Sequence, residues 1–244
     1  VKSLGDYGAG QRVYQLDERG WLFAFDVDSG DRQRLASDLP PIQEIGWADA
    51  RRNELWVVAE GGLYVSLDAG ERFVSWGRLP DGALPSTFVA KPGDTRAGCI
   101  LDEQGQMWCI SRAEAWSPRG GLDSGRWSPE SARLFPCPWN RNLWFVTVDG
   151  VTYKTVDGGR TWRSLDLGDE GFVAEEMYFG TEAQPTICAS GPSGVRCSRD
   201  AGATWATTSA APGSGNPWVL GIHRSGSMMA VGDEQTHQLY EVAT

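Results

Sequence analysis

The 244-residue chain carries 32 acidic and 22 basic residues, a net charge of −10. Such an acidic surface argues against nucleic-acid binding, which phosphate neutralisation drives, and against docking on anionic lipid. With 41% apolar residues, 12 Trp and no apolar run near the ~18 residues of a membrane helix, the chain reads as globular with ample material for a core.

Short runs of β-branched, aromatic and aliphatic residues, separated by turns rich in Gly and Asp, predict strands throughout. In chain order they fall into six sets of three. The first is Val1–Tyr7, Arg12–Leu16 and Trp21–Phe25, and the second is Ile42–Trp47, Leu55–Ala59 and Leu63–Ser66. Thr87–Lys91, Cys99–Leu101 and Met107–Ser111 follow, then Ala132–Cys137, Leu143–Val148 and Val151–Thr155. The last two sets are Val173–Phe179, Thr186–Ala189 and Val195–Ser198, and Trp218–His223, Met228–Val231 and Leu239–Val242. A fourth, outermost strand is expected after each set except the last, where the chain stops at Thr244. The segment 117–131 reads as a long loop. No signal-peptide pattern occurs, and a chain opening on Val1 is compatible with one already removed.

Two octets fix the period. Thr155-Val-Asp-Gly-Gly-Arg-Thr-Trp162 and Ser198-Arg-Asp-Ala-Gly-Ala-Thr-Trp205 share the pattern [ST]-x-D-x-G-x-T-W, 43 residues apart. Ser66-Leu-Asp-Ala-Gly-Glu-Arg-Phe73 is a weaker copy, and Asp28 with Gly30 marks a vestige. A degenerate copy near position 113 keeps the spacing more even than the rival Leu122–Trp127. A repeat of this length indicates a repeat architecture. In such a turn, Gly70, Gly159 and Gly202 supply positive φ, and Asp68, Asp157 and Asp200 accept hydrogen bonds from turn amides. Ser66, Thr155, Ser198, Thr161 and Thr204 close the network, and Trp162 and Trp205 cover the turn.

The octet resembles the Asp-box, or bacterial neuraminidase repeat, of β-propellers. That superfamily includes sialidases, sortilin-type receptors, xyloglucan-cleaving hydrolases and propeller photosystem II assembly factors. The resemblance implies an all-β fold: one domain over 1–244, a six-bladed β-propeller of four-stranded antiparallel blades with Asp-box turns, its last blade incomplete. It also implies that the boxes are structural and lie away from any catalytic centre. Sialidase chemistry needs an arginine triad, a Tyr–Glu nucleophile pair and an Arg-Ile-Pro-like motif, which is missing here. Tyr64, Tyr153 and Tyr240 each precede a box position by four residues and read as packing residues.

The cysteines point to a compartment. A two-residue loop at Pro192-Ser193 sets Cys188 opposite Cys197, and a three-residue loop at Glu103–Gly105 sets Cys99 opposite Cys109. Directly opposed residues on antiparallel strands lie about 4.5–5.5 Å apart, within disulfide reach. Two disulfides and one free thiol at Cys137 are therefore expected. They imply an oxidising location: periplasmic, cell-surface or secreted.

No catalytic constellation is legible, no metal site and no cofactor are expected, and the chain reads as a non-enzyme. Glu44, Glu175 and Glu176 are the only acids that would suit a glycosidase pair. His223 and His237 lack a third ligand, and the Asp26–Asp31 segment reads as a turn lacking EF-hand spacing. The leading expectation is an extracytoplasmic protein-binding module, scaffold or assembly factor of a larger complex. The alternative is a carbohydrate-active enzyme or lectin using a central depression. In each repeat the turn between second and third strands lies at the opposite end from the box. Those turns carry Asp17 and Glu18, Glu60, Asp102 and Glu103, Asp149, and Asp233 and Glu234. With Arg119, Arg126 and Trp127 on the 117–131 loop, they form a candidate face for a protein partner with a basic surface.

Overall fold

Burial along the strands follows their place in each sheet: middle strands such as Trp144–Val148 and Gly194–Ser198 are buried throughout, outer ones mostly exposed, and some alternate. In Arg12–Leu16, Tyr14 and Leu16 are buried while their neighbours are half-exposed, the period of a pleated strand with one face on a core. A computed structural model describes residues 2–4, 12–26, 28–49, 54–91, 94–111, 115–122, 131–168, 172–207, 218–222, 228–232 and 237–241. These form antiparallel meander sheets, grouped in two compact units, Val1–Gly120 and Gly121–Thr244.

In the first unit, sheet 1 holds β1 (Lys2–Leu4), β2 (Arg12–Leu16), β3 (Leu22–Asp26) and β4 (Arg32–Leu35) in that order. Sheet 2 holds β5 (Ile42–Asp49), β6 (Glu54–Ala59), β7 (Gly62–Ser66) and β8 (Val74–Arg78). Sheet 3 holds β9 (Val89–Lys91), β10 (Asp94–Leu101), β11 (Gln106–Ser111) and β12 (Ser117–Gly121), paired in sequence. Every residue of β6 is buried, because both of its faces meet apolar layers. Leu55, Val57 and Ala59 pack with Tyr14, Leu16 and Leu22 of sheet 1. Trp56 and Val58 pack with Phe88 and Ile100 of the third repeat. Each fully buried Leu or Val of this kind contributes about 1.5–3 kcal/mol.

In the second unit, sheet 4 holds β13 (Arg133–Pro136), β14 (Trp144–Val148), β15 (Val151–Thr155) and β16 (Arg163–Ser164). Sheet 5 holds β17 (Glu176–Thr181), β18 (Gln184–Gly191), β19 (Gly194–Ser198) and β20 (Ala206–Thr207). Sheet 6 has three described strands, β21 (Trp218–Ile222), β22 (Met228–Gly232) and β23 (His237–Glu241). Phe145 and Leu143 of the fourth repeat pack with Met177, Ile187 and Ala189 of the fifth. The outer strands β4, β8, β12 and β16 are mostly exposed, and three of the four are rich in Arg and Ser, which suits short sheet edges.

Three expectations change. The segment 117–131 is not all loop, because β12 occupies its first five residues and completes sheet 3. The Ser117 hydroxyl donates to the Cys109 carbonyl, and the Gln106 side-chain amide donates to the Gly120 carbonyl. These side-chain bonds hold the returning strand without a complete octet; positions 112–114, including the degenerate copy, lie outside the described residues. The third inner strand starts at Val89, because Pro85 opens a 3-10 turn over Pro85–Thr87. The fifth starts at Glu176 rather than Val173, where the chain instead crosses tightly under Gly191: a Cβ there would lie 2.0 Å from the Val173 carbonyl oxygen.

Candidate functional site

The octets build the same turn three times. The Thr155 hydroxyl donates to Asp157 Oδ1 at 2.7 Å and accepts from the Gly159 amide at 3.0 Å. Asp157 Oδ1 accepts from the amides of Arg160 and Thr161, and Oδ2 from the Thr161 hydroxyl at 2.6 Å. Ser198, Asp200, Gly202, Ala203 and Thr204 repeat the network. Partial burial alone would raise the Asp157 and Asp200 carboxyls. Hydrogen bonds from the Thr hydroxyl and amide, the Thr155 or Ser198 hydroxyl and the neighbouring amide outweigh it and hold both at about 2. In the third copy Ser66 and Gly70 keep their places, but Arg72 stands where the others have Thr. Burial again opposes, and the Arg72 amide and Ser66 hydroxyl lower Asp68. In the vestigial copy the acceptor is Asp26, which takes the Asp28 and Ser29 amides, while Asp28 is exposed. The predicted role of Asp28 thus passes to the residue at the Ser/Thr position.

Each of two octets is also clasped by the sheet before it. The Tyr14 hydroxyl on β2 donates to the Ala69 carbonyl at 3.2 Å. Lys154 Nζ on β15 donates to the Ala201 carbonyl at 2.9 Å. Burial pulls the Lys154 ammonium below its usual range, and the Asp200 charge opposes that pull. Gly202 has φ +80°, and a Cβ there would lie 2.9 Å from Phe145 Cζ. Trp205 meets the same Phe145 ring edge-on at 6.3 Å. The equivalent Trp162 is half-buried beside β16.

The hairpin registers pair Cys99 with Cys109 and Cys188 with Cys197. Both pairs are bonded, with Cα separations of 4.1 and 4.2 Å. Cys137 is free and fully buried, and burial raises its thiol. Two disulfides indicate an oxidising compartment. Among the described residues, no helix is long and apolar enough to cross a membrane, and no three His, Cys, Asp or Glu side chains are grouped to hold a metal.

The candidate partner face is only partly brought together. Asp102 is 6% exposed, which corrects its place among the surface acids. Its Oδ1 accepts from the Gln104 and Gln106 amides, and its Oδ2 accepts from the Trp108 indole at 2.8 Å. Asp17 likewise caps the Arg19 and Trp21 amides. Glu18, Glu60, Glu103 and Asp149 remain exposed at their turns. Arg119 is exposed on the edge strand β12, whereas Arg126, Trp127, Asp233 and Glu234 lie outside the described residues. Of the glycosidase candidates, Glu44 is buried in the first unit; Glu175 and Glu176 are exposed in the second, where Glu176 accepts from the Tyr178 hydroxyl. His237 lies on β23, and His223 is outside the described residues.

One feature was not anticipated from the sequence. Trp21, Phe23 and Phe25 alternate along β3 and its approach, opposite Arg34 and Arg32 on β4. The alternation is visible in the sequence, but an arginine on an exposed outer strand reads as ordinary solvation until the register is known.

No protein-family model matches the sequence, and neither does any curated protein. Solved structures do. An ancestral GH74 enzyme superposes with a TM-score of 0.67 at 13% identity, covering 96% of this chain and 35% of that one. YCF48 bound to D1 peptide gives 0.60 at 13% identity, covering 96% and 76%. YCF48 from Cyanidioschyzon merolae gives 0.62 at 12% identity, covering 94% and 79%. This chain therefore spans about a third of the GH74 enzyme. The shared architecture places the chain in the all-β, β-propeller fold class.

Proposed function

We propose that this chain is an Asp-box propeller of six blades, working at the periplasm, the cell surface or in secretion. In this reading it is a non-catalytic protein-binding module, a scaffold or assembly factor of a larger complex. The observation that carries the reading is the division of labour among its acids. The octet carboxylates and Asp102 are saturated inside their own turns. Glu18, Glu60 and Glu103 stand exposed at the second-to-third-strand turns of the three sheets of the first unit, and Asp149 at that of sheet 4, where it also accepts the Ser131 hydroxyl at 2.7 Å. Glu60 and Asp149 hold φ of +46° ahead of a glycine, the two-residue hairpin form that Asn or Gly would fill with less strain. Exposed acids on rigid turns suit a partner with a basic surface, and the YCF48 likeness, which extends over most of that chain, supports a protein partner. The carbohydrate-active alternative is supported by the GH74 likeness, which extends over a much smaller share of its chain.

The test replaces Glu18, Glu60 and Glu103 by Gln and Asp149 by Asn, then measures association with a captured partner. Association at low salt should slow by about tenfold, and the difference should fade as salt rises. Unchanged low-salt association rates would end this reading.

A further inference from the structure

In a protein of net charge −10, three exposed arginines gather against the aromatic rings of one two-stranded ribbon. Arg32 and Arg34 project from β4 onto the aromatic rings of the β3 side. The Arg32 guanidinium carbon lies 3.6 Å from the Phe23 ring centroid and 5.3 Å from that of Phe25. The Arg34 carbon lies 4.2 Å from the Trp21 ring, with Arg19 at 5.4 Å from the same ring. Arg19, Arg32 and Arg34 are exposed, and no described carboxylate pairs with any of them. A guanidinium seated over a ring is already partly ordered, so less freedom is lost when it forks a carboxylate.

Among the described residues, no strand pairs with the outer side of β4 either. β4 is the outer strand of sheet 1. The Asp26 amide donates to the Asp31 carbonyl at 2.9 Å, which marks a hydrogen-bonded pair at the hairpin end. Antiparallel pairs alternate, so Phe25–Arg32 and Phe23–Arg34 are non-hydrogen-bonded pairs. The N–H and C=O of Arg32 and Arg34 therefore point away from β3, toward the open edge. The ring contacts run diagonally across the pairs: Arg32, opposite Phe25, lies nearest Phe23, and Arg34, opposite Phe23, lies over Trp21, within the diagonal reach of long side chains on neighbouring strands.

We propose that β4 accepts an extended acidic segment of a partner protein as a fifth strand. A strand pairing there sets two residues, i and i+2, opposite Arg32 and Arg34 and on the same face. Acidic side chains at those two positions meet the two guanidinium forks, while their main-chain groups complete the edge. The residue between them faces the other side and is unconstrained in charge. The recognised pattern is thus acid, any residue, acid, in extended conformation. This deepens the protein-binding reading and rests on it only in taking the ligand to be a protein segment. Arg32 and Arg34 lie on the outer strand rather than on an acidic turn, and the ribbon adjoins the acidic turns only at Asp17–Arg19.

The test titrates the full chain with a fluorescein-labelled, N-acetylated Thr-Glu-Thr-Glu-Thr-Glu-Thr peptide, read by anisotropy. Two comparison peptides are the isomer Glu-Thr-Thr-Glu-Thr-Thr-Glu, which nowhere sets acids at i and i+2, and a version of the first peptide methylated on the Glu nitrogens. The alternating peptide should bind at least tenfold more tightly than either. Arg32→Gln with Arg34→Gln should remove at least tenfold, and the double Lys variant should recover only a fraction of it, because it keeps charge without the fork. An unchanged far-UV CD spectrum checks folding of both variants. Equal binding of all three peptides would reduce the ribbon to a general polyanion surface and overturn the proposal. So would binding unchanged by the Gln pair, or no binding by the unaltered chain. If the peptide fails while the acid-turn variants still slow partner association, only the strand-addition surface falls. If both fail, the protein-binding reading falls with it.

Discussion

Among single residues, three aspartates in one sequence pattern differ in two bonds. The carboxylates of Asp157 and Asp200 accept the amide three residues on, whereas the Glu71 amide donates to the Asp68 carbonyl. Asp157 and Asp200 each also gain a Thr hydroxyl bond that Asp68 lacks, because Arg72 replaces the Thr. Their carboxyls sit at about 2, below the ~3.9 of an unfolded chain. A depressed carboxyl stabilises the fold fully above its unfolded value and loses that contribution as pH falls through its folded value. Stability should therefore drop between about pH 4 and pH 2. Because both groups touch solvent, each contributes only about 1 kcal/mol after screening. Asp157→Asn and Asp200→Asn should lower the urea midpoint at pH 7 and flatten its fall between pH 4 and 2, with Asp68→Asn doing so less. A fall as steep as in the unaltered chain would contradict this account. The Ser/Thr, Asp and Gly positions were legible in the sequence because the turn admits few alternatives. Asp26 was not, since a carboxylate can replace the Ser/Thr hydroxyl as amide acceptor two positions before the expected aspartate.

Among the elements, the octet is a clasp as well as a turn. Gly202 needs its positive φ and also lies under Phe145 of the preceding sheet. Gly202→Ala should cost about 2–4 kcal/mol, the sum of a left-handed alanine and overpacking. Gly158 also has positive φ but only Asn142 Oδ1 at 3.5 Å and the Arg141 carbonyl oxygen at 4.0 Å near its added Cβ. Gly158→Ala should cost about 1 kcal/mol, and Ala201 already occupies the equivalent place with φ +57°. Urea titrations of the two variants check the difference; equal costs would show that the clasp carries no strain. Strand existence and pairing were legible because hairpin loop length fixes register, as in the two cysteine pairs. Strand ends were not. β12 is held by side-chain bonds from Ser117 and Gln106, and Pro85 diverts a run that looks extended. Neither effect leaves a periodic mark.

Across the molecule, two disulfides point to an oxidising setting, while the partner leaves little trace in sequence. The chain has 32 acids, and which of them face solvent depends on turns such as the one that buries Asp102. The arginine cluster is local in space but interleaved in sequence with acids at 26, 28 and 31, so composition conceals it. Redox state gives a global check. Cys137 is fully buried, so native protein should not react with a thiol reagent, unfolded protein should release one equivalent, and reduced unfolded protein five. Rapid reaction of one thiol without denaturant would show that the layer around Leu143 and Phe145 is open.

The two disulfides span 10 and 9 residues within single hairpins, so among the described residues no disulfide joins one sheet to another. Drawn out by its ends, the chain lets its sheets separate in turn, with only packing and clasps to resist. Two closed knots then hold back about 6 nm of extended length, at roughly 3.4 Å for each enclosed residue. A reductant lets that length go.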